Sequence, residues 1–271
     1  MVLLSHRMTH SAPPTGFAFL DHPRPLAFAH RGGALEAEEN TMPAFENAAR
    51  LGYRYIETDV QASRDGVVVI FHDDTLERLT GAPGRVAERD WSELAQLRTR
   101  DGAGLVRLDE TLETFPDIRF NIEPKSDASV EPLAELIRRM DAVDRICVGS
   151  FDQRRTDRVR TALGPHLCWS PSFAGVAAVW LAGWGLPMPA PKAPALQVPT
   201  TYHGINVVTP RTIRAAHARG VQVHVWTVDE AAEMERLLDM GVDGLMTDRP
   251  TLLREVLERR GAWTGGPIAT P

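Results

Sequence analysis

From residue 26 onwards, apolar positions along this chain alternate between two rhythms. Short runs rich in β-branched and aromatic residues read as strands at 26–30, 54–60, 119–123, 145–149, 166–169, 195–198, 221–226 and 244–247. Between them, apolar residues return every three or four positions, as one face of a helix requires. The first helix is predicted at 42–51, with Asn40-Thr41 as the N-cap, Pro43 in the first turn and Gly52 as the stop. Others follow at Glu131–Met140, Arg154–Leu163, from Thr209-Pro210 to Gly220, behind an Asp229 cap to Gly241, and at Pro250–Arg259.

One run breaks the cadence. Val67–His72 follows strand 54–60 after the tight-turn signal Arg64-Asp65-Gly66, a connection far too short for a parallel crossover. It must fold back antiparallel and carry His72 towards Asp59. Without this arm the strands number eight, each followed by a helix or a long excursion. That pattern predicts an α/β fold, a (β/α)8 TIM barrel with a short insertion (73–118) after the second strand's hairpin. A doubly wound open sheet fits less well, because no Gly-rich phosphate loop follows the first strand. The barrel is expected as a single domain over 26–260, with tails at 1–25 and 261–271 and a Pro-rich loop at 170–199. Within that loop Val176–Leu186, with Trp180 and Trp184, predicts a short helix over the barrel mouth. It is either a surface excursion or a lid that meets the greasy part of a substrate.

Composition narrows the class. Of 271 residues 43% are hydrophobic and 24% charged, as in ordinary globular proteins. A net charge of −6 with scattered Lys and Arg excludes a nucleic-acid footprint. Cys147 and Cys168 lack metal-ligand spacing and read as small buried residues. There is no signal-peptide pattern and no transmembrane run of 18 apolar residues, so a cytoplasmic location is expected.

The candidate chemistry sits where a barrel keeps it, at the C-terminal ends of strands: His30, Arg31, Glu57, Asp59, Glu123, Lys125 and Trp226, with His72 arriving by the hairpin. Glu57 and Asp59 are two apart on one strand and therefore share a side. Like charges so placed raise each other's pKa unless a cation intervenes, and three carboxylates without cysteine favour one hard divalent cation, Ca²⁺ or Mg²⁺. Two histidines suit acid–base work near neutral pH, and Arg31 and Lys125 suit a phosphate. Any one of these residues alone would be an ordinary structural side chain; their convergence carries the reading.

The motifs His30-Arg31-Gly32, Glu39-Asn40-Thr41, Ile56–Val60, Asp65-Gly66, Phe71-His72-Asp73, Ile122–Lys125, Val225–Val228, Gly241–Gly244 and Thr247–Pro250 together resemble the glycerophosphodiester phosphodiesterase family, over about residues 26–255. Glu38 stands where that family often has proline, and Pro124 where it often has a β-branched residue. The resemblance implies hydrolysis of glycerophosphodiesters to glycerol 3-phosphate and an alcohol. It makes Glu57, Asp59 and Glu123 the metal ligands and His30 and His72 the acid–base pair. Arg31 and Lys125 then hold the phosphate and Trp226 lines the pocket. Two rivals remain at this level: a phospholipase-like enzyme cleaving a lipid phosphodiester, with transient lipid contact through Trp180 and Trp184, and a barrel that binds a phosphorylated ligand without catalysis.

Overall fold

The computed structural model of the chain describes residues 16–189 and 191–266. Eight parallel strands form the staves of a nearly closed barrel: β1 Leu26–His30, β2 Tyr55–Ala62, β3 Arg119–Pro124, β4 Ile146–Val148, β5 Cys168–Trp169, β6 Ala195–Pro199, β7 Gln222–Trp226 and β8 Gly244–Thr247. Backbone pairing runs β5-β4-β3-β2-β1-β8-β7-β6. Between β5 and β6 the described residues carry a side-chain link instead, with the Gln197 amide donating to Ser170 Oγ at 3.0 Å. The helices α1 Met42–Leu51, α2 Val130–Arg139, α3 Gln153–Leu163, α4 Phe173–Gly183, α5 Pro210–His217, α6 Ala231–Met240 and α7 Pro250–Arg259 connect or follow the strands. The barrel expected from the alternating rhythms is what the chain forms.

The two-residue period of a strand divides the core in two. Outward-facing residues such as Ile56, Phe120, Ile122 and Val225 pack with helix residues such as Phe45, Ala48, Leu133 and Leu253 in one continuous cluster. Inward-facing Leu26, Phe28, Tyr55, Cys147, Cys168, Ala195 and Met246 fill the barrel itself. Burying each large side chain contributes roughly 2–3 kcal/mol. Cys147 and Cys168 are free, buried and in register across β4 and β5.

The differences from expectation have local causes. Residues 1–15 and 267–271 of the expected tails lie outside the described residues. Residues 18–20 form a short turn that drives Phe19 and Leu20 into the barrel base, where Phe19 meets Tyr55 edge-on at 5.2 Å. A single buried turn has no period to read. At the other end Trp263 packs on Tyr53 at 5.1 Å. The helix over the mouth begins three residues earlier than predicted and stops at Gly183, before Gly185 at φ 84°. Asp229 does not cap α6, whose N-cap is Glu230. Its carboxylate instead accepts from Thr247 Oγ1 (3.0 Å) and the Asp248 amide (2.7 Å). The second strand's hairpin holds as expected: Val68–Ile70 pairs antiparallel with Val60–Ala62, and Val106–Arg107 from the insertion adds a further antiparallel strand.

His224 is sealed in the barrel beside Phe28, with Nε2 bonded to Gln222. Burial pushes its pKa down to about 4, from 6.5. The folded state thus holds this imidazole neutral. Its contribution to stability is complete above pH 6.5 and is lost as pH falls towards 4, with a ceiling on the order of 3 kcal/mol. His224→Leu should remove this component. Urea midpoints measured from pH 7 to pH 4 are expected to fall less steeply for the variant than for the wild type, and parallel curves would contradict the assignment.

Candidate active site

Parallel register assembles the site. Pairing of β1 with β2 sets His30 beside Glu57, and pairing of β2 with β3 sets Glu57 beside Asn121 and Asp59 beside Glu123. All four charged groups sit at the C-terminal rim. After His30 the chain turns at Arg31, at φ 52°, through Gly32 and Gly33 at φ 85° and 107°. A Cβ on Gly32 would stand 2.7 Å from that of Ala44, and one on Gly33 2.6 Å from Pro250, so only glycine lets this turn nest between the starts of α1 and α7. Phe71 donates its amide to the Asp59 carbonyl at 3.0 Å, which delivers His72 to the same rim.

The eight residues singled out from the sequence, His30, Arg31, Glu57, Asp59, His72, Glu123, Lys125 and Trp226, all line one cavity of about 560 Å³. Glu57 and Asp59 are buried, at 6% and 2% exposure. Two cations stand against them: Arg31 Nε lies 3.2 Å from Asp59, and Lys125 Nζ lies 3.6 Å from Asp59 and 3.3 Å from Glu123. Pro124 ends β3 in register with Val60 and so leaves Lys125 aimed into the cavity. Burial and the neighbouring Asp59 still lift the Glu57 carboxyl well above the usual range, and burial lifts Glu123 as well. Among the described residues no three His, Cys, Asp or Glu side chains form a ready ligand cluster. The donor set is nonetheless of the right kind for a hard cation: buried carboxylate oxygens under mutual repulsion.

The histidines differ in surroundings. His30 Nδ1 lies 2.7 Å from Asp248 and Nε2 3.6 Å from Glu57, so both nitrogens face carboxylates. Burial alone would lower its pKa, but Glu57 and Asp248 outweigh burial and hold it up at about 9. His72 Nδ1 lies 2.6 Å from Asp73, while Nε2 lies 3.2 Å from the Lys125 ammonium. An ammonium has only hydrogens to offer, so that Nε2 presents its lone pair and the proton resides on Nδ1.

Glu39, Asn40, Asp73 and Asp248 fall within sequence motifs, but only Asn40 carried an expected role, as part of the α1 N-cap, which Thr41 alone fills. The structure shows Asn40 Nδ2 donating to Asp59 at 3.1 Å and Arg31 to Glu39 at 3.0 Å, beside the two histidine–aspartate contacts. For Asp73 the signal was its adjacency to His72. Asp248 is far from His30 in the chain, and only the β1–β8 pairing brings them together. Phe151, Phe173, Val176, Trp180, Leu181 and Tyr202 make an apolar wall facing the charged rim; Val176, Trp180 and Leu181 belong to the helix expected over the mouth, whereas Phe151, Phe173 and Tyr202 had no expected place in it. Trp180 lines this wall and donates Nε1 to the Asn206 carbonyl, whereas Trp184 is 53% exposed under Arg211.

The sequence model of the Glycerophosphoryl diester phosphodiesterase family matches residues 30–252. The chain is 40% identical over 265 residues to "Probable glycerophosphodiester phosphodiesterase 2" of Mycobacterium tuberculosis, covering 95% of this chain and 100% of that one. It is 26% identical to Lysophospholipase D GDPD1 of Homo sapiens, covering 86% of each. The crystal structure of glycerophosphodiester phosphodiesterase from Agrobacterium tumefaciens superposes with a TM-score of 0.69 at 27% identity, covering 84% of this chain and 98% of that one. With one match across most of its length and another across nearly all of it, the chain belongs to the glycerophosphoryl diester phosphodiesterase family.

Proposed function

We propose that the protein hydrolyses glycerophosphodiesters to sn-glycerol 3-phosphate and an alcohol, with His72 as the first general base and His30 as the first general acid. The observation that carries this reading is the opposite hydrogen-bond setting of the two imidazoles across one cavity. His72 offers a lone pair at Nε2, and His30 faces carboxylates through both nitrogens.

In the first step His72 Nε2 takes the proton of the substrate's glycerol 2-hydroxyl. The oxygen attacks phosphorus, the bond from phosphorus to the head-group oxygen breaks, and His30 gives that oxygen a proton. A cyclic phosphate results. In the second step the roles exchange: His30, now neutral, takes a proton from water, the water oxygen opens the ring, and His72 returns its proton to the glycerol 2-oxygen. Asp73 and Asp248 hold each ring in place and stabilise its charged form. Arg31 and Lys125 set positive charge against the phosphoryl oxygens, and Trp226 closes one side of the pocket. Glu57, Asp59 and Glu123 would hold one divalent cation, Ca²⁺ or Mg²⁺. Such a cation, when bound, supplies Lewis-acid charge for the phosphoryl group.

The apolar wall favours a second reading, phospholipase-like cleavage of a lipid phosphodiester whose glycerol carries an aliphatic chain. Phe173, Val176, Trp180 and Leu181 offer such a chain a dry surface and offer no hydrogen-bonding group to a polar alcohol except the already engaged Trp180 indole. Among the described residues no helix is long and apolar enough to cross a membrane.

His30→Ala and His72→Ala should each lower kcat on glycerophosphocholine by roughly 10²–10⁴-fold without loss of fold. Full turnover in either variant would refute the acid–base assignment. Stripping divalent cations with a chelator should abolish activity and Ca²⁺ or Mg²⁺ should restore it. Titration calorimetry should show that Glu57→Ala and Asp59→Ala lose the cation as well as the activity. Assaying glycerophosphocholine beside a lysophosphatidylcholine decides between the two readings: turnover of the first alone rejects the lipid reading, and turnover of the second alone rejects the first.

A further inference from the structure

Arg78 belongs to none of the groups assigned above, yet it touches the carboxylate partners of both His72 and Arg31. It lies in the short helix Glu77–Thr80 of the insertion. Its guanidinium donates to Asp73 through Nε (2.5 Å) and one terminal nitrogen (3.1 Å). It donates to Glu39 through both terminal nitrogens, at 2.9 and 2.7 Å. Asp73 is the partner of His72 Nδ1, and Glu39 is the partner of Arg31, which reaches on to Asp59. The line therefore runs unbroken from one histidine to the cation beside the carboxylates.

We propose that Arg78 is a positioning residue that locks the His72 and Arg31 sides of the site into one geometry. The inference rests on the roles proposed for His72 and Arg31. Two features make Arg78 suited to this work. A guanidinium is planar and presents several donors in a fixed fork, so it can grip two carboxylates at once, which an ammonium cannot do in the same way. The segment that carries it is also anchored. Arg100 donates through Nε to the Arg78 carbonyl at 2.6 Å and through a terminal nitrogen to the Glu77 carbonyl at 3.1 Å. Glu38, next to Glu39, receives the Thr99 hydroxyl and the Asp101 amide at 3.3 Å. The insertion thus grips the loop before α1 at two consecutive residues, and Arg78 passes that grip to the reacting groups.

The test uses the whole chain with glycerophosphocholine as substrate. Arg78→Met keeps the aliphatic stem and removes the fork. It should melt at the wild-type temperature and lower kcat by roughly 10–100-fold, as loss of an orienting partner does, while KM stays within about threefold. In a Glu39→Gln/Asp73→Asn background the same change should lower kcat by less than about twofold, because the groups it acts through are already altered. If Arg78→Met does not fold, Arg78→Lys is compared in the same two backgrounds and should give the same pattern with a smaller loss. Wild-type kcat, a loss confined to KM, or a loss repeated in full in the altered background would each overturn the inference. His72→Ala serves as the control: if it turns over normally, the acid–base reading fails on its own, whereas an inactive His72→Ala beside an unimpaired Arg78→Met sinks only the role of Arg78.

Discussion

Holding Glu57, Asp59 and Glu123 together against their own repulsion is the constraint on which the mouth of this barrel depends. The register of two neighbouring parallel strands, β2 and β3, imposes their proximity, and the backbone ladder that fixes that register cannot slip without turning every side chain to the other face. Once the backbone has made this arrangement, the side chains around it must answer with positive charge. Arg31 and Lys125 do so from two different strand ends, and His30 does so through its contacts with Glu57 and Asp248. The catalytic reading follows from that compensation, because the cations gathered around the acids also face the cavity in which a phosphodiester would lie.

The architecture was legible because it depends on period and punctuation. The eight strands and the 42–51 helix are written in local composition, and the Asp65-Gly66 turn forces the return of His72 by simple reach. The charged rim was legible for a related reason: residues two apart on a strand share a side whatever else happens. What could not be read depends on contacts between distant parts of the chain. Asp229 looked like a helix cap, since an aspartate before an apolar stripe usually is one, but the turn after β8 takes its carboxylate. Phe19 and Leu20 end a four-residue apolar run, 17–20, too short to show a period, and nothing local says that a barrel base awaits it. The apolar wall draws Phe151, Phe173, Trp180 and Tyr202 from three separate connections, of which only the Pro-rich 170–199 stretch carries a local signal.

The two faces of the cavity divide the labour of recognition. The charged rim is built on strand ends and the turns that follow them, with supports reaching back to Asp73, Asp248 and Glu39. The apolar wall is built on α4, on the 201–206 hairpin and on Phe151 in the loop after β4, outside the strand ladder. The charged groups are therefore tied to the strand ladder, while the apolar groups sit on connections that can be changed without disturbing it.

That separation has a mechanical counterpart in the seam between β5 and β6. Seven of the eight junctions around the ring are backbone ladders, while this one is joined by the Gln197 amide on the Ser170 hydroxyl, a bond worth about 1 kcal/mol. The chain leaves the barrel here to make α4 and its proline-rich return, and re-enters on the other side of the gap. A hoop with one loose stave can accept a longer or shorter detour at that stave while the remaining staves keep their spacing. Variation in the length of this excursion would therefore reshape the greasy side of the cavity and leave the acids and histidines where they are.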